Sequence, residues 1–159
     1  MKKTLKHVIC FMLAAMLLLP VCLFTGCGGG DEESQINEFY DAVSESQTKL
    51  DIIADDIYSC WYDAIYKNSY SGNINIAIAT AISRNSSNLE FVESNEVEIQ
   101  SLYKKLRDSK YSTEVKEVMS AYSSYYEFVV NVSGSFNSYS SSKESLKKDL
   151  AKANIEKFQ

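Results

Sequence analysis

Residues 34–67, SQINEFYDAVSESQTKLDIIADDIYSCWYDAIYK, decide the fold. Ile36, Phe39, Val43, Leu50, Ile53, Ile57, Cys60 and Ala64 recur at alternating steps of three and four, with Ser46 in the one weak slot. A stripe kept over so many turns marks an amphipathic helix with a buried seam. Trp61 and Ile65 flank the seam and widen it near its end. The spacing predicts a helix from Ser34 to Lys67, closed by the turn-forming run Asn68-Ser69-Tyr70-Ser71-Gly72-Asn73.

The same spacing continues downstream. Ile78, Ile82, Leu89, Val92, Ile99, Tyr103 and Leu106 predict a second helix beginning near Ile74. The polar patch Ser83 to Asn88 predicts a break in it, with Ser87 and Glu90 placed as a capping box. The alternation Ile74-Asn75-Ile76-Ala77-Ile78 also suits a short strand, but a lone strand has no partner, so helix is the expectation. Asp108-Ser109-Lys110 forms the next turn, with Ser112 or Thr113 as cap. Val115, Val118, Tyr122, Tyr125, Val129, Val132, Phe136 and Tyr139 then define a third stripe, continued by Leu146, Leu150 and Ala153. Ser133-Gly134-Ser135 and Ser140-Ser141-Ser142 weaken it midway, and Ser141 with Glu144 forms another capping box, so two pieces in line are expected. Three stripes joined by short turns predict an all-α fold, an antiparallel three-helix bundle of long helices, the second and third kinked or broken.

Upstream, the chain reads as an export signal. Lys2, Lys3 and Lys6 precede an apolar run from Val8 to Phe24, and no acid occurs before Asp31. Thr25-Gly26-Cys27 then resembles the lipobox of bacterial lipoproteins, a Leu, two small residues and a Cys. Phe24 stands where Leu is usual, with Leu23 one place early. The resemblance implies cleavage before Cys27 and a thioether-linked diacylglycerol on it, two acyl chains being enough for stable anchoring. Two other readings of the run remain: an uncleaved spanning helix, short and interrupted by Pro20, and cleavage without lipidation. The expected organisation is a signal peptide over 1–26, lipidated Cys27 with a glycine-rich acidic tether over 27–33, and a helical domain over 34–159.

Composition narrows the chemistry. After the leader, 13 of the 16 Lys and Arg remain against 21 acids, a net charge of −8. Such a domain repels phosphate backbones and anionic headgroups. Nucleic acid is excluded as a partner, and membrane contact is expected through the lipid alone. The one histidine is His7 and the one proline Pro20, both in the leader. Without a mature histidine the usual Ser–His and Cys–His centres are absent. Cys60 has no cysteine left to pair with once Cys27 carries lipid and is expected as a small buried hydrophobe. Asp51 and Asp55 share a helix face, but no third ligand is marked. Neither a catalytic centre nor a metal or cofactor site is expected.

Eleven tyrosines and one tryptophan make aromatics the informative class. Tyr62 and Tyr66 project away from the Leu50–Ile57–Ala64 seam, with Tyr58 and Trp61 on its shoulder. Aromatics with a polar tip are favoured at recognition surfaces. Trp61, Tyr62 and Tyr66 are therefore the candidate partner-contact residues, against the plainer reading that they cover the flank of the core. The blocks Trp61-Tyr62-Asp63-Ala64-Ile65, Leu102-Tyr103-Lys104-Lys105-Leu106 and Gly134-Ser135-Phe136 are similar to blocks in small helical lipoproteins of Gram-positive bacteria. That likeness implies a shared fold and location and no mechanism. The expected protein is a cell-envelope lipoprotein on the outer face of a membrane, presenting a non-catalytic helical surface to an envelope or extracellular protein. The alternatives are a small-ligand or peptide binder using a groove between helices, and an enzyme with a Ser–Lys centre near Ser140 to Lys143.

Overall fold

The predicted seam is buried from end to end. In the computed structural model, which describes residues 32–155, α1 spans Glu32–Tyr66, and Ile36, Phe39, Val43, Leu50, Ile53, Ile57, Cys60 and Ala64 all lie in the core. Its 35 residues extend about 52 Å. The weak slot at Ser46 is filled by polar pairing. Asn95 Nδ2 donates to Ser46 Oγ at 2.9 Å and to Ala42 O at 2.8 Å, so a buried hydroxyl keeps a partner.

Four further α-helices follow, with no strand among the described residues: α2 Ile74–Arg84, α3 Ser86–Leu106, α4 Ser112–Val130 and α5 Phe136–Ile155. Asn73 caps α2, its Oδ1 accepting from Ile76 N at 3.2 Å. α2 lays Ala77 and Ala81 on α1, and small residues at both contact positions let the two helices approach closely. Ile78 and Ile82, the predicted stripe, sit half-buried beside them.

The predicted break in the second helix occurs at Asn85, and the Ser87–Glu90 box is not its device, since Ser87 lies inside α3. Asn85 itself does the fixing. Its side chain is buried, with Nδ2 donating to Asp56 Oδ2 at 2.8 Å and to Ala81 O at 2.9 Å. A short amide that can bond locally competes with the helix ladder and interrupts it.

The third predicted helix needs correction, and with it the three-helix count. α4 and α5 are not two pieces in line; the chain reverses between Val130 and Phe136. Asp51 shows it: Oδ1 accepts from Tyr125 OH at 2.6 Å while Oδ2 pairs with Lys147 Nζ at 3.0 Å. In one straight helix those two residues would stand about 33 Å apart. The reversal is made by Gly134, at φ +88°, and by a reciprocal cap. Ser138 N donates to Ser135 Oγ at 3.2 Å, and Ser135 N donates to Ser138 Oγ at 2.9 Å. The capping box thus falls six residues before the Ser141–Glu144 pair.

Contacts give the chain directions. Arg84 meets Asp56 and Asn95 meets Ala42, so α3 runs antiparallel to α1. Lys143 meets Asp55 at 2.6 Å and Asn154 meets Ser44 at 2.6 Å, so α5 does too. α4 runs parallel to α1. All four later helices pack on α1. No helix among the described residues is long and apolar enough to cross a membrane.

Gly134→Ala tests the reversal. A Cβ there would lie 2.8 Å from Ser138 Oγ on a backbone that L-residues rarely adopt. The variant is expected to lose about 1–3 kcal/mol of stability in urea unfolding. An unchanged midpoint would show that the reversal does not depend on the glycine.

Candidate functional site

α1 has two unlike ends. Its first turn carries Glu32 and Glu33. Its last two turns carry the aromatics singled out in the sequence, and the structure separates them. Trp61 is buried at 4% exposure, one turn beyond Ile57 and on the same face. Tyr62 and Tyr66 are exposed, Tyr66 at 61%. Cys27, the expected lipidation site, lies outside the described residues.

Phe136, the first residue of α5, explains why these rings gather. It stacks on Tyr58 at 5.0 Å between centroids, and Trp61, Tyr62 and Tyr66 lie around it at 6.0 to 6.1 Å. Trp61 continues inward to Tyr139 at 5.5 Å. Offset and edge-on contacts of this kind add roughly 0.5–1.5 kcal/mol per pair beyond burial. The cluster seats the start of α5 and leaves the outer faces of Tyr62 and Tyr66 in solvent. Lys143 Nζ lies over the Tyr58 ring at 4.8 Å and so ties the cluster to the Asp55 ion pair.

The turn after α1 is strained. Tyr70 and Ser71 sit at φ 56° and 54°, a left-handed region that costs non-glycine residues roughly 1–3 kcal/mol each. Side chains hold it in place. Tyr70 OH donates to Cys60 Sγ at 3.2 Å, and Arg84 Nη2 donates to the same sulfur at 2.7 Å. Arg84 also forks onto Asp56, Nη2 to Oδ1 at 2.5 Å and Nε to Oδ2 at 3.2 Å. The sulfur and then the Asp56 carboxylate hold the guanidinium still further above its ordinary pKa, and the bond to Cys60 raises the Tyr70 hydroxyl. Cys60 is buried as expected, but its sulfur also joins the turn, α1 and α2. No local spacing signals this, because Tyr70 and Arg84 lie ten and twenty-four residues away.

Three more residues complete the end of the molecule: Ile65, Ile74 and Ile76 are exposed, at 42%, 37% and 51%. Of the two residues expected to widen the seam, only Trp61 does so; Ile65 turns outward. The signal was present in the alternation Ile74-Asn75-Ile76-Ala77-Ile78. In a helix, steps of two turn successive isoleucines by about 200°, so they cannot all face one core. A shallow groove runs along the outer face of α2 past Asn73, Ile76, Thr80, Ser83 and Arg84. It is lined by α2 itself and not by seam residues between helices. Compared with family models, characterised proteins and solved structures, the chain has no match.

Proposed function

We propose that this protein is a cell-envelope lipoprotein, held by diacylglycerol on Cys27 at the outer face of a membrane, whose far end is a non-catalytic docking surface for an envelope or extracellular protein. One observation carries the docking part. Of eight exposed large hydrophobics among the described residues, five gather at the end of α1 remote from the tether: Tyr62, Ile65, Tyr66, Ile74 and Ile76. Apolar groups grouped in this way are uncommon on a monomer and mark interaction sites. Trp61 leaves the list of contact residues and becomes their support. In this reading α2 and α3 act as one broken rod and, with α1, α4 and α5, complete an up-and-down helical bundle about 50 Å long that holds the tip clear of the bilayer.

The test places a photo-cross-linking benzophenone side chain at position 66 or 76, with Ser101 on α3 as the control position, in intact cells. The expected result is a discrete protein adduct from both tip positions and none from the control. No adduct at either tip position, or the same adducts from all three, would overturn the docking reading.

The groove along α2 supports a second reading, a peptide or small-ligand site, and it shares Ile76 with the tip. The Ser–Lys reading has the less support. A lysine that activates a serine must be neutral. Burial favours the neutral form of Lys143, but hydrogen bonds to Asp55 and Glu144 outweigh it and raise its pKa, keeping it charged.

A further inference from the structure

The net charge of −8 argues for membrane contact through lipid alone, yet the cations are not spread evenly. Lys104, Lys105, Arg107 and Lys110 fall within seven residues, at the end of α3 and in the turn to α4. All four are exposed. The one acid among them, Asp108, faces Arg107 at 3.4 Å on the surface, where such a pair is weak and both charges stay hydrated. The fold places this turn beside the start of α1. α3 runs antiparallel to α1, Asn95 meeting Ala42, so its end returns to the start of α1; Lys110 lies close enough to Glu32 and Glu33, and Tyr111 to Tyr40, for their charges to act. At the opposite end, the apolar tip is about 50 Å away along α1.

Resting on the anchor reading above, we infer that the turn 104–110 is a docking surface for anionic phospholipid headgroups, which sets the domain upright on the bilayer that holds Cys27. The chain outside the described residues supports this occupant. Four residues lie between Cys27 and Glu32, so five Cα steps span at most about 18 Å of extended backbone. The cationic turn is thereby held within about two Debye lengths of the headgroups at physiological salt. Charge complementarity fixes the direction. The turn is attracted, while the rest of the domain, strongly acidic, is repelled, so an anionic surface favours the upright pose over one lying flat. Glu32 and Glu33 beside Lys110, with Glu114 and Glu117 beside Tyr40, temper the attraction, while Lys104 and Lys105 face outward on the last turn of α3 and carry it.

The experiment uses the full-length lipidated protein in vesicles of phosphatidylcholine, with or without phosphatidylglycerol. Amine acylation is read lysine by lysine by mass spectrometry, with Lys67 at the far end as internal reference. Acylation of Lys104, Lys105 and Lys110 is expected to fall about fivefold on the anionic vesicles and to recover in high salt, with Lys67 unchanged. Equal acylation on both vesicles, with the Cys27 peptide carrying diacylglycerol, overturns this inference and leaves the anchor standing. A Cys27 peptide without diacylglycerol overturns the anchor and the inference with it. The variant Lys104→Gln, Lys105→Gln, Lys110→Gln changes only exposed side chains and keeps the core. In hydrogen exchange it should lose the anionic-vesicle protection of the turn that the parent shows; retained protection would also overturn the assignment.

Discussion

Raising the pH from about 10 to about 12 is expected to unfold the domain cooperatively, with its buried tyrosines as the cause. Tyr40, Tyr122, Tyr125 and Tyr139 are all almost wholly removed from solvent. Burial, with help from the charges of Glu114 and Glu117, pushes Tyr40 up to about 12. Tyr122, Tyr125 and Tyr139 rise further, each chiefly by burial, reinforced by Glu96, by the bond to Asp51 and by Asp55 respectively. The folded pKa values lie above the unfolded one, so the contribution to stability is complete below about pH 10 and is lost as the pH climbs toward the folded values. Each residue removes about 1.4 kcal/mol per pH unit, so four remove about 8 kcal/mol by about pH 11.5. That matches the whole stability of a typical domain. Tyrosinate absorbance followed beside far-ultraviolet circular dichroism checks it. The buried four should ionise together with the loss of helix. Eleven tyrosines titrating smoothly near pH 10 with the helix intact would contradict the assignment.

Trp61→Ala carries the other large effect. The indole is buried between Phe136 and Tyr139, and its removal leaves a cavity where α5 docks on α1. A loss of about 3–5 kcal/mol in chemical denaturation is expected. Tyr66→Ala, five residues further on and exposed, should change stability by less than about 1 kcal/mol. Trp61→Phe keeps a ring and removes a buried Nε1–H that finds no partner among the described residues, so it should cost less than the alanine. Equal effects of Trp61→Ala and Tyr66→Ala would show that the two rings play the same part. The difference also decides how the tip is probed. A variant that includes Trp61 loosens the fold and so cannot test the proposed docking, whereas substitutions at the exposed Tyr66 and Ile76 leave the core in place.

The seam of α1 was legible because nine slots, eight of them apolar, repeat without a break, and each of them is buried. The reversal after Val130 was not. Val129, Val132, Phe136 and Tyr139 keep helical spacing straight across it, so periodicity ran through a point where the chain turns back. Periodicity records which face is apolar and is blind to whether the axis reverses. The local signal lay in Ser135 and Ser138 capping one another beside Gly134, which read in sequence as a weak patch of helix. At the tip, Tyr62 and Tyr66 stood out because they fall off the seam. Trp61 is adjacent to them in sequence, but its position four residues after Ile57 places it inside. Cys60 shows a different limit: its burial was readable, its partners were not, since they come from other helices.

One further property follows from α1 running unbroken from Glu32 to Tyr66. On the proposed reading, the tethered end and the exposed tip are the two ends of a single helix. A pull between an engaged tip and an anchored Cys27 is therefore carried along one axis by one backbone hydrogen-bond ladder. The neighbouring helices stand outside that line of tension and act as lateral bracing, as stays do for a mast. Mechanical failure would begin in the strained left-handed turn at Tyr70 and Ser71 only for a load applied through α2; a load on Tyr62 or Tyr66 bypasses it.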